Sequence, residues 1–144
     1  MFNDDETLPK ITRKLVPEGD RVTVSARIFG IHFPLLIEPY VYTVASDIAE
    51  EYNGGYWDFH ELSNGGFYMS PSGDKRYSVN CPMNYFNGEL SADALGIVAI
   101  LTAYSHLSFR KEQAFARECA RQFHLLKAFA CEHDEGTAIL SAID

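Results

Sequence analysis

Between Ala92 and Leu107 the sequence places apolar side chains on nearly every face of a helix, with Leu95, Ile97, Val98, Ile100, Leu101 and Tyr104 spread around it. A helix of that kind is stable only when enclosed, so the rest of the chain has to wrap it. Ser91 is placed to cap its first turn, and Asp93 to favour the positive end of the helix dipole. Thr102, Ser105 and His106 interrupt the run, which stays short of the ~20 apolar residues a membrane span requires. The chain is 144 residues long, a common size for one domain around one core. A folded chain of that size buries roughly 68–70% of its extended surface and needs no staple.

The flanking periodicities show what can do the wrapping. Val22, Val24, Ala26 and Ile28 alternate as in a strand, while Val22, Ala26 and Phe29 also fit helical spacing, so this segment admits both readings until Gly30 breaks it. Pro39 suits a first helical turn. Val41, Val44, Ala45, Ile48 and Tyr52 then form one apolar stripe, and with Asn53-Gly54-Gly55 as the stop the spacing predicts a helix over 39–52. Trp57, Phe59, Phe67 and Met69 alternate with polar or smaller neighbours on either side of Ser63-Asn64-Gly65-Gly66. That pattern predicts a hairpin, with a type I′ turn at Asn-Gly and room for a bulge at Gly66. A third strand through Arg76–Val79, after a turn at Pro71-Ser72-Gly73-Asp74, would complete a small meander.

Phe115, Cys119, Gln122 or Phe123, Leu126 and Ala130 give the next segment an amphipathic helical face, closed at Glu132–Gly136, and a short helix over about 137–143 ends the chain. The polar stretch with Pro9 and Pro17 is expected to be a loose N-terminal arm over 1–19, leaving 20–144 as the domain. The fold class is therefore α+β: a small antiparallel sheet of three to four strands with a central hairpin, packed with about four to five helices in one compact domain.

Charge narrows the function. Twelve Lys and Arg stand against twenty Asp and Glu, a net charge of −8, so no basic groove is available to neutralise phosphates and strong nucleic-acid binding is not expected. The three cysteines, Cys81, Cys119 and Cys131, lack CxxC spacing, which fits a reducing compartment. The opening Met1-Phe2-Asn3-Asp4-Asp5-Glu6 carries no apolar secretory segment. A soluble, cytoplasmic protein with no membrane partner is expected.

Chemical motifs are scarce. Gly54-Gly55 and Gly65-Gly66 do not make a nucleotide-binding loop and read as a helix stop and a turn. No two of His32, His60, His106, His124 and His133 are three to five residues apart, so a metal site is not indicated. Cys81, before Pro82 in an expected loop, is the most plausible reactive thiol, without a supporting signature. Asp58, Glu61 and Asp74 surround the aromatic hairpin and could supply a carboxylate pair for a small hydrolase. Among the clustered aromatics, Tyr56, Tyr68 and Tyr85 are expected to be the exposed members, as on a protein interface.

The segment Glu51-Tyr52-Asn53-Gly54-Gly55-Tyr56-Trp57-Asp58-Phe59, continued by Leu62-Ser63-Asn64-Gly65-Gly66-Phe67-Tyr68-Met69-Ser70-Pro71, resembles the signature of the ArdB/KlcA antirestriction family, approximately Y-x-G-G-Y-W-x-F…L-x-N-G-G-F-Y-M-x-P. Phe29-Gly30 and the ending Ala142-Ile143-Asp144 agree with it. The resemblance implies a small, cofactor-free inhibitor carried by plasmids or other mobile elements. It would protect incoming DNA from type I restriction endonucleases without being an enzyme. The implied partner is the type I restriction enzyme or an associated host factor, and the expected interaction face comprises Tyr56, Asp58, Asn64, Tyr68, Asp74, Tyr85 and Asp144. The alternatives are the carboxylate hydrolase and an acidic DNA mimic. The mimic is disfavoured because duplex DNA carries one charge per ~1.7 Å, and the carboxylates here are interspersed with basic residues.

Overall fold

The computed structural model describes residues 10–144. The expected arm therefore lies outside the described residues over 1–9. Within the remainder of that arm, Arg13–Leu15 forms a strand, β1, so the sheet begins earlier than the composition predicts. All three residues are exposed. What makes them a strand is their partner, with Arg13 opposite Leu62 and Leu15 opposite His60.

The helices follow as α1 (Arg21–Phe29), α2 (Glu38–Ile48), α3 (Ala92–Leu107), α4 (Gln113–Glu132) and α5 (Gly136–Ile143). The ambiguous segment before Gly30 is thus helical, burying Val24, Ser25 and Phe29. A π-helical turn at Phe33–Ile37 leads into α2, which buries Val41, Val44 and Ala45 of the predicted stripe. This helix stops at Ile48, earlier than Asn53-Gly54-Gly55, because Ala49 turns extended and bridges to Val79. The neighbouring Glu50 amide donates to Ser78 O at 3.3 Å.

The hairpin is β2 (Trp57–Leu62) with β3 (Phe67–Pro71), antiparallel in the register Trp57 to Pro71. Its turn differs from the type I′ expectation, since only Gly65 has a positive φ, +94°. The Gly65 amide closes on Leu62 O at 2.9 Å and the Leu62 amide on Gly66 O at 2.8 Å, a longer loop in which one left-handed residue suffices. Gly65→Ala should cost about 1 kcal/mol in the urea midpoint, because alanine has to be strained into that conformation. An unchanged midpoint would show that the loop readily takes another shape.

The predicted third strand exists but does not extend this sheet. β4 (Arg76–Cys81) pairs instead with β5 (Phe86–Ser91), giving sheets ordered β1-β2-β3 and β4-β5. The reason lies at the free edge of β3, which α3 covers: Tyr104 donates to Phe67 O at 2.7 Å, and Gly96 lies directly on the backbone of Met69 and Ser70. Ser91 caps α3 as expected, accepting from the Ala94 amide at 3.1 Å. Twelve of the helix's residues are buried, and α2, α4, α5, β3 and β5 all pack on it. It is the central helix its composition demands.

Candidate interaction surface

Strand pleating and turn placement divide the expected face into separate groups. Tyr56 immediately precedes β2 and is half exposed, its ring 4.5 Å from the guanidinium carbon of Arg21. Asp58, partly exposed, pairs across the sheet with Ser70. Asp74 is exposed in the β3–β4 turn, and the Ser72 amide of that turn donates to Tyr56 O at 2.9 Å. One end of the hairpin therefore gathers Tyr56, Asp58 and Asp74.

Asn64 is at the other end and is held by the fold, donating to Leu125 O and accepting from the Gly66 amide, both at 2.9 Å. Tyr85 is 96% exposed, with φ of +56°, after the short turn Pro82–Asn84. The side chain of Asn84 in that turn donates to Ala142 O of α5 at 2.6 Å, which brings Tyr85 into the region of the exposed Asp144.

Tyr68 corrects the expectation. It is fully buried and cannot meet a partner. Alternation places a strand residue outside only when one face of the strand meets water, and β3 is buried along its whole length. Phe67 on one face packs against Phe29, Phe33 and Phe59. Tyr68 on the other stacks on His60 and faces Phe129.

The Tyr68 hydroxyl is part of a polar cluster that the sequence reading did not assemble. It accepts from Arg13 Nη1 at 2.6 Å and donates to Asp93 Oδ1 at 2.8 Å. Arg13 also pairs with Asp93 Oδ1, and His133 Nε2 meets Asp93 Oδ2 at 2.8 Å. Burial opposes charge on Asp93, yet the hydrogen bonds from His133 and Tyr68 and the charge of Arg13 outweigh it, lowering its pKa to about 2. The hydrogen bond to Asp93 in turn raises the pKa of His133. The Glu135 amide donates to His133 Nδ1 at 2.9 Å, so Nε2 carries the proton of the neutral ring and neither nitrogen has a lone pair free to act as a base. Glu135 also accepts from the Ser91 amide at 3.0 Å and from its hydroxyl. The cluster ties β1, β3, α3, α4 and α5 together. Asp93 was noticed for its helix position, but Arg13, Tyr68 and His133 are 80, 25 and 40 residues away from it, beyond any local pattern.

Of the acids around the hairpin, the two on β2 stay apart, whereas Asp74 is exposed in the turn at the same end as Asp58. Asp58 and Glu61 are three positions apart on β2 and point to opposite faces, and Glu61 pairs with Arg27 at 2.6 Å. Cys81, expected in a loop, ends β4 buried, and burial raises its pKa. Burial also pushes the Cys119 thiol up to about 12, leaving both far from the reactive thiolate. Among the described residues no single helix is long and apolar enough to cross a membrane.

Comparison with known proteins agrees with the hairpin signature. A family profile described as "Antirestriction protein" matches residues 50–144. Two Escherichia coli proteins named "Antirestriction protein KlcA" are similar along nearly their whole length. One is 38% identical over 135 residues, covering 93% of this chain and 95% of the relative, and the other is 42% identical over 132 residues, covering 90% of each. A solved structure superposes with a TM-score of 0.86 at 38% identity, covering 95% of this chain and 99% of the other. It is described in the words "The structure of the KlcA and ArdB proteins show a novel fold and antirestriction activity against Type I DNA restriction systems in vivo but not in vitro".

Proposed function

Because the chain belongs to the antirestriction protein family, we propose that it protects incoming DNA from type I restriction endonucleases by contacting protein in the cytoplasm, without imitating DNA. The observation that carries this reading is how its acids are disposed. Glu61, Glu89, Asp93, Glu112, Glu118 and Glu135 each meet an arginine within 4.0 Å. A DNA mimic needs an unbroken row of carboxylates at the spacing of duplex phosphates, and arginines threaded among these acids interrupt it. The reading also calls for no chemistry by the protein itself, in keeping with the engaged ring of His133 and the divergent carboxylates of β2.

The related structure's description, active in vivo but not in vitro, supports a partner present in the cell, either the restriction enzyme in its cellular state or a factor associated with it. The contact we assign is the end of the hairpin bearing Tyr56, Asp58 and Asp74, with Tyr85 and Asp144 as a second patch. Exposed aromatics beside carboxylates offer area at low entropic cost together with specificity.

Plating of unmodified phage on a type I-restricting host tests this directly. Expression of the protein should restore most of the lost efficiency and have no effect in a restriction-deficient host. The double variant Tyr56→Ala with Asp74→Ala, losing about 2 kcal/mol of contact energy, should fall back toward the unprotected level while staying folded, its melting temperature lowered by no more than the few degrees that losing the Tyr56–Arg21 stacking costs. Full protection by the folded double variant would remove that face from the proposal, and no protection by the folded parent chain would sink the function.

A further inference from the structure

Of the seven arginines, Arg21 and Arg117 form no ion pair among the described residues, and of these two only Arg21 is stacked on aromatic rings. Arg13, Arg27, Arg76, Arg110 and Arg121 each hold a carboxylate. Arg21 forms no ion pair among the described residues and is held by rings instead, its guanidinium carbon 4.5 Å from the centres of both Tyr56 and Phe59. Its Nε is buried without a hydrogen-bond partner. Stacking on aromatic faces fixes the guanidinium plane and leaves its edge available for a planar anion.

That cation borders a groove of about 440 Å³ between α1 and the π turn, walled by Val22, Ala26, Ile31, Phe33 and Pro34. Val22 is 80% exposed and Ile31 65%, two apolar side chains standing in water beside an apolar depression. The acid lining the groove, Glu38, already accepts from the Tyr42 hydroxyl at 3.1 Å.

We propose that this groove receives a segment of a partner protein in which a carboxylate stands next to a bulky apolar side chain, the carboxylate on the guanidinium edge of Arg21 and the apolar group against Val22 and Ile31. Charge complementarity selects the carboxylate, since Arg21 is a fixed cation with no carboxylate within 4.0 Å among the described residues, and Glu38, the acid in the groove's lining, is hydrogen-bonded to the Tyr42 hydroxyl instead. The apolar walls select the neighbouring side chain, and the volume lies within the range of sites that enclose small organic groups. A nucleic-acid strand, charged at every residue, would meet a single cation among apolar walls. The inference rests on the protein-contact reading above and gives that contact a chemistry.

The test uses the full purified chain, labelled with nitrogen-15, and the peptide acetyl-Gly-Leu-Asp-Phe-Gly-amide beside its Asn counterpart. Amide shifts should concentrate at residues 21–38 and 56–59, and the Asn peptide should bind at least about tenfold more weakly, the worth of a charge-assisted hydrogen bond. Arg21→Met, which keeps a side chain between the two rings, should lose the discrimination between the peptides. Val22→Ser, at an exposed position, should weaken both peptides alike. Equal binding of the Asp and Asn peptides would overturn the proposal, as would shifts outside the groove. Groove shifts that grow with protein concentration alone, or that appear with a single-stranded oligonucleotide, would overturn it by identifying a second copy or a nucleic acid as the occupant. Because binding is read on purified protein, loss of the groove with protection intact removes this inference alone, whereas peptide binding without protection on plates removes only the antirestriction reading.

Discussion

Gly96→Ala is expected to destabilise the protein by about 3 kcal/mol or more, near the upper end of what overpacking costs. An added methyl at this position would sit well inside contact distance of Met69 O and of the Cα and Cβ of Ser70. These atoms belong to the backbone and first side-chain carbon of β3, so no rotamer change relieves the clash. Either α3 lifts from the strand, opening the contact that Tyr104 makes with Phe67 O, or β3 shifts within a segment buried on both faces. The measurement is urea unfolding followed by circular dichroism, with the loss appearing in the midpoint. A change within about 0.5 kcal/mol, the size of an ordinary surface substitution, would mean that α3 does not press on the sheet.

Asp93→Asn should cost about 2–4 kcal/mol at neutral pH. It removes the charge that Arg13 pairs with, and the amide nitrogen it introduces can only donate where a donor already points. Breaking a fully buried ion pair costs about 3–5 kcal/mol, and the partial exposure of both partners lowers that figure. The pH dependence is distinctive. The folded pKa of Asp93 lies below its ordinary 3.8, at about 2, so its stabilisation is present above pH 3.8 and is lost as pH falls through about 2. His60 acts in a higher window. Burial, reinforced by Arg13, depresses its pKa from 6.5 to about 4, so the unfolded chain takes up the proton first and stability falls from pH 6.5 toward pH 4, by up to about 3 kcal/mol. The native protein should therefore weaken in two acid steps; Asp93→Asn should abolish the lower one and deepen the upper, because the charge of Asp93 partly offsets the depression of His60. A variant as stable as the parent at pH 7, with the same acid profile, would show that the cluster contributes nothing.

Residues whose environment is built by their own neighbours in sequence were legible. Leu95 through Tyr104 required an enclosing fold, Ser91 fitted a cap, and the stripe from Val41 to Ile48 fitted a buried helix face. Trp57, Phe59, Phe67 and Met69 alternated because β2 and β3 pair with one another, and all four are buried. Residues specified by distant partners were not legible. Arg13-Lys14-Leu15 has no buried face and is a strand only because β2 offers an edge. Phe86–Ser91 buries Leu90 alone, too little for an alternating pattern to register. Tyr68 was placed outside by a rule that assumes water on one side of the strand, and Phe129 and Asp93 occupy that side. In the signature itself, Trp57, Phe59 and Gly65 maintain the fold, while Tyr56 beside Arg21 is the part that reaches the surface. The site was thus legible as a segment but not as a surface, because Arg21 and the groove come from α1.

The enclosed helix begins at Ala92, well after most of what encloses it has been synthesised. During translation α1, α2 and the hairpin leave the ribosome with no core to close on, so their apolar faces have only one another and chaperones to meet until α3 follows. A chain ending before α3 lacks the helix on which α2 and β3 pack and is expected to remain unfolded.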